Sequence, residues 1–294
     1  MRTRGLRPQP GQDRRPGQLT GLTGQPLHHL SPARPAPASR QGLFQVEVAT
    51  LLDRLTSFGA LAIQFGRTKW LDQVLAAFVS IYDLGFDSNG YERQSRSDIS
   101  LWVDILARIY GLGALAVRLA DWAAVRKLAD RRPTGEAFNH YGSWLRHGLT
   151  MSLRADVLDS GPRLIDRGRN VVRALDALHP DHGVDDDAIL DSLCQFDALA
   201  CLVVISERGT ADSGNFYPSF VGYYARRTEP ALAQLIRDRA MRRALFDGDD
   251  RTLADALAAV LDRANKESFR FTAWDGVDDR SIVSFIQDHR TPES

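Results

Sequence analysis

The segment at residues 216–227 combines aromatic and basic side chains, which together can bind an anionic ligand. FYPSFVGYY holds five aromatic residues in nine, and Arg226 and Arg227 follow shortly after it. Aromatic rings stack on flat groups, and guanidinium groups bind phosphate or carboxylate. On a helix, Tyr223 and Arg227 share one side. Tyr223, Arg226 and Arg227 are therefore candidate ligand-binding residues for a nucleotide, a nucleic-acid strand or a phosphorylated partner.

The same segment also fits ordinary core packing, and we favour that interpretation for most of it. Four apolar or aromatic side chains recur at the i, i+3, i+4, i+7 spacing of one helix face: Tyr217, Phe220, Val221 and Tyr224. Aromatic stripes at this spacing usually face a core. We expect Phe220 to be buried, and only the flank with Tyr223 and Arg227 to be open to a ligand.

A second candidate lies in the predicted helix at 138–147. His140, Trp144 and His147 fall within two turns on neighbouring positions of one side. Such a group could provide a general base beside an aromatic wall. It could also form a half-buried helix face, whose histidines form hydrogen bonds with the backbone or with water. No matched nucleophile or acid follows at a recognisable spacing, so the sequence predicts no catalytic residues. These three residues remain ligand-binding candidates.

Metal and cofactor motifs are weak or absent. His179 and His182 precede the acidic run 185–187, but they flank Pro180 and Gly183 in a predicted loop, where rigid ligand placement is not expected. A polar turn followed by an acidic helix N-terminus explains the same residues. The segment 246–255 lacks the residue order of a calcium loop, and no phosphate-binding glycine loop or paired CxxC is present. The sequence therefore predicts no metal and no cofactor.

Charge and composition separate a tail from the rest of the chain. Basic and acidic residues number 37 each, but residues 1–40 carry seven arginines, one acid and seven of the 13 prolines. This composition predicts a disordered, dispensable basic tail at 1–40 and a folded domain at 41–290, with a subdivision possible near 180–186. We expect no nucleic acid at the folded domain, whose net charge is negative because the tail holds the basic excess, while the tail could touch nucleic acid or anionic lipid. The excess of arginine over lysine favours a GC-rich bacterial source.

Neither the apolar runs nor the cysteines indicate a membrane or an oxidising compartment. The longest charge-free stretches that are mainly apolar, such as 55–66, have about a dozen residues, and we therefore expect no membrane span. Cys194 and Cys201 lie seven apart in one predicted helix, roughly 10.5 Å along its axis, which exceeds the reach of a disulfide. Two buried thiols in a reducing cytoplasm are expected.

The apolar residues recur with helical periodicity from residue 43 almost to the end of the chain. The first predicted stripe contains Phe44, Val48, Leu51, Leu52, Leu55, Phe58 and Ala62, and the second contains Trp70, Val74, Leu75, Phe78 and Ile81. We expect Trp70 and Trp122 to be buried where each opens a helix. Gly111 and Gly113 predict a kink or a close helix contact. One helix is expected from about 228 to 245, and only 269–276 alternates like a strand.

Two segments resemble tetratricopeptide-type helical hairpins. LARIYGLGALAVRLADWAAVRKLADRRP at 106–133 has a first helix rich in small residues, a tight Ala120-Asp121-Trp122 turn, a shorter second helix and a terminal proline. The segment 55–78 is similar, with a tryptophan opening its second helix. The tryptophans are 52 residues apart rather than one 34-residue period. The resemblance implies hairpins stacked side by side, as in the protein-binding scaffolds of that family.

Taken together, these patterns predict an all-α protein of packed antiparallel helical hairpins, of which a short α-solenoid is one possible arrangement. The predicted function is a non-catalytic protein-interaction or regulatory module in the bacterial cytoplasm, whose partner is another protein. The alternative is an enzyme or sensor that binds a nucleotide or small molecule, with a pocket near the 138–147 and 216–227 helices.

Overall fold

The described part of the computed structural model confirms the all-α prediction. It comprises residues 40–84, 96–130, 164–177, 185–208, 229–266 and 280–290. Within these ranges every regular element is a helix: α1 Arg40–Gln64, α2 Thr68–Asp83, α3 Arg96–Arg118, α4 Trp122–Asp130, α5 Leu164–Ala177, α6 Asp186–Arg208, α7 Glu229–Arg237, α8 Arg239–Phe246, α9 Asp250–Lys266 and α10 Arg280–His289. The residues from Phe44 onward belong to one compact unit. The predicted tail and the segment 269–276 lie outside the described residues.

Two short turns join the first four helices in pairs. Gly66 has φ 61°, the left-handed conformation that glycine adopts without strain, and it ends α1 where the sequence predicts a stop. Ala120 has φ 53° between α3 and α4. Asp121 then caps α4, because its carboxylate accepts a hydrogen bond from the backbone N–H of Ala124 at 3.0 Å. These turns produce the predicted hairpins α1–α2 and α3–α4.

Helices α3 and α6 form the centre of the core. Helix α3 packs against α2, α4, α5 and α6, while α6 also contacts α4, α7 and α9. A Cβ atom at Gly111 would lie 2.3 Å from Val171, and one at Gly113 would lie 2.3 Å from the ring of Phe196. Helix α3 is continuous through both glycines, and of the two predicted alternatives the close helix contact is found.

The predicted single helix from about 228 to 245 is wrong. Helix α7 ends at Arg237 and α8 begins at Arg239. Asp238 adopts an extended conformation between them, and its side chain accepts hydrogen bonds from the N–H groups of Ala240 and Met241. An aspartate that caps the next helix competes with continuation of the previous one, and helical periodicity alone does not reveal this competition.

The apolar stripes of α1 and α2 are only partly buried. Trp70 is 45% exposed, which contradicts the prediction that it is buried, and Trp122 is only half-buried. Leu51 and Phe58 are also exposed, whereas Leu52 and Ala62 are in the core. Trp70 lies in the first turn of α2 at the edge of its buried side. The ring therefore meets exposed side chains of α1 rather than the interior.

Among the helices that the structure describes, two have the length and hydropathy to cross a membrane, within Ser100–Arg118 and Asp186–Ser206. Neither helix appears in the sequence as an uninterrupted apolar run, because each contains charged residues, such as Asp104 in the first and Asp197 in the second. Of the most apolar part of each, 72% and 83% is buried within the protein. Central helices of a folded core have the same properties.

Candidate helix-docking surface

All six ligand-binding residues that the sequence suggested lie outside the described residues. They are Tyr223, Arg226, Arg227, His140, Trp144 and His147. His179 and His182 also lie outside, as does the pocket proposed near 138–147 and 216–227, so these remain predictions.

The acidic run at 185–187 lies within the described residues. Asp185 caps α6 by accepting a hydrogen bond from Ala188 N–H at 2.7 Å, and Asp186 pairs with Arg173 at 2.7 Å. Within the described ranges, no group of acidic, histidine or cysteine side chains could hold a metal.

Tyr110 and Asp197 form a buried polar pair at the contact of α3 and α6. The Tyr110 hydroxyl donates a hydrogen bond to Oδ1 of Asp197, while Oδ2 of Asp197 has no hydrogen-bond partner. Burial raises the pKa of Asp197 from 3.8 to about 7, although the hydrogen bond from Tyr110 opposes the rise. Burial also raises the pKa of Tyr110, and the neighbouring carboxylate adds to this increase. A partly protonated carboxyl group near neutral pH can exchange protons with any ligand that reaches it.

The environment of this pair argues against contact with any ligand. Asp197 is 2% exposed and Tyr110 is 1% exposed. The free thiols Cys194 and Cys201 are both buried, as expected, and they lie on the same side of α6 as Asp197, at i−3 and i+4. Burial raises the pKa of Cys201, so this thiol is unreactive. The cluster is therefore a polar element of the core.

The exposed apolar surface lies instead on the first hairpin. We name it the α1 face and define it as Leu51, Phe58, Leu61, Phe65 and Trp70. Their exposed fractions range from 39% to 63%. The first four lie on one side of α1, since Leu51, Phe58 and Phe65 are spaced by seven residues and Leu61 lies three after Phe58. Clusters of large exposed apolar side chains are typical of interaction sites.

Contacts within the α1 face hold its aromatic rings in place. The rings of Phe58 and Trp70 stack with centroids 5.7 Å apart and an interplanar angle of 21°. The guanidinium of Arg67 lies 5.9 Å from the Trp70 ring centroid. Stacking and cation–π contacts are each worth on the order of 1 kcal/mol. The surface is thus largely ordered before any partner binds, which lowers the entropy lost on binding.

Charged side chains surround the α1 face unevenly. Glu47 is exposed near its N-terminal end, and Arg67 and Lys69 are exposed at the turn into α2. The nearby acids Asp53 and Asp72 instead pair with Arg108 and Lys127 of the same chain, each at 2.6 Å. The exposed charge is therefore mixed, since the exposed Arg54 lies between Leu51 and Phe58 within the face itself.

The sequence contains a signal for this surface that a single-stripe interpretation of α1 misses. Leu52, Ala60 and Ile63 form the buried side, while Leu51, Phe58, Leu61 and Phe65 lie on a different side. The apolar arc around α1 is therefore wider than the area that one neighbouring helix can cover.

Comparison with known proteins gives no match: no protein-family model, no curated protein and no solved structure is significantly similar to the chain. Its function is therefore argued from this geometry.

Proposed function

We propose that this chain is a non-catalytic helical interaction module whose α1 face binds a helix of a partner protein. One observation carries the proposal: five large apolar side chains, two of them stacked aromatics, stay exposed side by side on the first hairpin. A helical partner suits the shape, because a straight row of side chains along one helix fits the groove of another.

The predicted resemblance to tetratricopeptide hairpins supports the same function. The segment 55–78 contains four of the five residues of the α1 face, and that family uses stacked hairpins to bind proteins. The proposal also includes a bacterial cytoplasmic location, which is supported by the arginine-rich composition and by the two buried cysteines that form no disulfide. A regulatory role would follow from the identity of the partner.

Affinity capture from the source organism tests this function when two matched variants are used. Phe65→Asp places a charge in the α1 face, and Val283→Asp places the same charge on an exposed apolar position of α10. Because both side chains are exposed, both variants should keep the wild-type melting temperature within the small range of surface substitutions. We expect Phe65→Asp to lose proteins that wild type and Val283→Asp retain. Identical captured sets for all three proteins would contradict the proposal.

A further inference from the structure

The α1 face has an excess of basic charge that the described part of the chain does not neutralise. Between residues 47 and 75 the sequence contains three acids and three bases, which are Arg54, Arg67 and Lys69. Two of the acids pair with bases of α3 and α4, each at 2.6 Å. The three bases are exposed, and within the described residues they form no ion pair. Only Glu47 remains as an acid without an ion pair in this segment.

Arg54 lies inside the face rather than at its edge. It follows Leu51 by three residues and precedes Phe58 by four, and all three side chains are exposed. A helix that packs on Leu51 and Phe58 must therefore also cover Arg54. Removal of an unpaired guanidinium from water is unfavourable unless an acid pairs with it. A partner helix that is apolar throughout this contact is thus a poor match.

Arg67 and Lys69 place two more bases at the C-terminal end of the face. The guanidinium of Arg67 lies 5.9 Å from the ring centroid of Trp70, and Lys69 directly precedes Trp70 in the chain. Carboxylates form charge-assisted hydrogen bonds with such bases, and these are stronger than hydrogen bonds between neutral groups. Acids on the flank of a bound helix would therefore meet bases beside the aromatic rings.

We propose, building on the proposed function, that the helix bound at the α1 face is acidic and amphipathic. Its apolar stripe packs on the aromatic rings of the face, one Asp or Glu inside the stripe pairs with Arg54, and acids on its flank pair with Arg67 and Lys69. The face is about 21 Å long from residue 51 to residue 65, which about four turns of a partner helix cover.

An anionic lipid surface is the other occupant that exposed apolar and basic side chains attract. The acids of α1 disfavour it. Glu47 is exposed, and the side chain of Asp53 is 72% exposed although it pairs with Arg108. A bilayer presents negative charge to the whole face, whereas a helix can place its acids opposite the bases alone.

Fluorescence anisotropy of the full chain with two designed peptides tests the inference. Each peptide has about 15 residues, is cross-linked into a helix and carries the same leucine stripe. The first has glutamates at one stripe position and along the flanks, and the second has lysines there. We expect the acidic peptide to bind at least about tenfold more tightly than the basic one. Phe65→Ala should weaken its binding by about tenfold, because charge alone does not hold the helix.

Arg54→Glu distinguishes direct charge pairing from a general loss of structure. The variant should bind the acidic peptide about tenfold more weakly and the basic peptide more tightly, and unfolding cannot produce this reversal. The matched control Arg243→Glu reverses an exposed charge on α8 and should leave the affinity for both peptides close to that of wild type.

A wild-type chain that binds the acidic peptide no more tightly than the basic one overturns the inference, as does an Arg54→Glu variant with unchanged preference. Phosphatidylserine vesicles that co-sediment with wild type but not with Phe65→Asp would assign the face to lipid and overturn it as well. If Phe65→Asp loses captured proteins that Arg54→Glu retains, the proposed function stands and the inference fails. If all variants capture identical sets, both fail.

Discussion

The α3–α6 contact and the α1–α2 hairpin contain similar apolar residues, which are buried in the first and largely exposed in the second. In the former, Tyr110 packs edge-on against Phe196, both rings are almost fully buried, and Gly113 brings the two helices close together. On the hairpin, Phe58 and Trp70 stack on each other while almost half of each side chain stays exposed. Both regions have aromatics at helical spacing. The number of neighbouring helices, rather than the spacing, determines which aromatics form core and which form surface.

This difference separates two energetic roles. A fully buried ring contributes to the stability of the fold through the apolar area removed from water and through close packing. A half-exposed ring contributes less to the fold, and its remaining area is available for binding. Substitutions in the two regions should therefore divide into those that change folding and those that change association.

The largest expected contrast is between two tryptophans. Trp102 is fully buried, and its indole N–H donates a hydrogen bond to the carbonyl of Tyr82 at 3.0 Å. We expect Trp102→Ala to lower the free energy of unfolding by about 3–5 kcal/mol, as for large core aromatics. Trp70→Ala should cost about 1 kcal/mol, because only part of its ring is covered. Chemical denaturation of both variants measures the difference, and equal costs would mean that the two regions do not differ.

A second contrast concerns pH and the buried pair in the core. The pKa of Asp197 in the folded protein, about 7, lies above its ordinary value of 3.8. The folded state therefore holds this proton more tightly, and stability is lost as pH rises from about 4 to 7. The amide side chain of the Asp197→Asn variant does not titrate in this pH range. Its stability relative to wild type should increase by about 2 kcal/mol between pH 5 and pH 8.

Urea denaturation of Asp197→Asn and of wild type at a series of pH values measures this effect. A difference between Asp197→Asn and wild type that stays constant from pH 5 to pH 8 would show that Asp197 is ionised throughout this range.

A smaller contrast compares two glycines that contact neighbouring helices. A Cβ at Gly113 would lie 2.3 Å from a ring that is itself fully buried, so Gly113→Ala should destabilise the fold by about 1–3 kcal/mol despite alanine's higher helix propensity. A Cβ at Gly59 in α1 would lie 3.1 Å from a methyl group of Leu112, which can move slightly. Gly59→Ala should change stability by about 1 kcal/mol or less. Thermal unfolding of the two variants ranks them, and a greater loss for Gly59→Ala would reverse the comparison.

The sequence predicts the fold class and most described helices well, because apolar spacing and turn residues act locally. Gly66, the Ala120–Trp122 turn and the acidic start of α6 are such local signals. The break at Asp238 and the exposure of Trp70 depend on competition for a cap and on which helices surround α1. A single stretch of sequence contains neither kind of information. The sequence does not reveal the α1 face for the same reason, since Leu51 and Phe58 fall in one predicted stripe with Leu52 and Ala62.

Cysteine cross-linking across the α1 face tests the central claim most directly. The native thiols of Cys194 and Cys201 are fully buried, so introduced cysteines react selectively. A photoreactive cross-linker attached to Phe65→Cys should capture a partner protein from an extract of the source organism, because position 65 lies in the α1 face. The same cross-linker on the control Val283→Cys should not capture that protein. Capture of the same proteins by both variants would contradict the account.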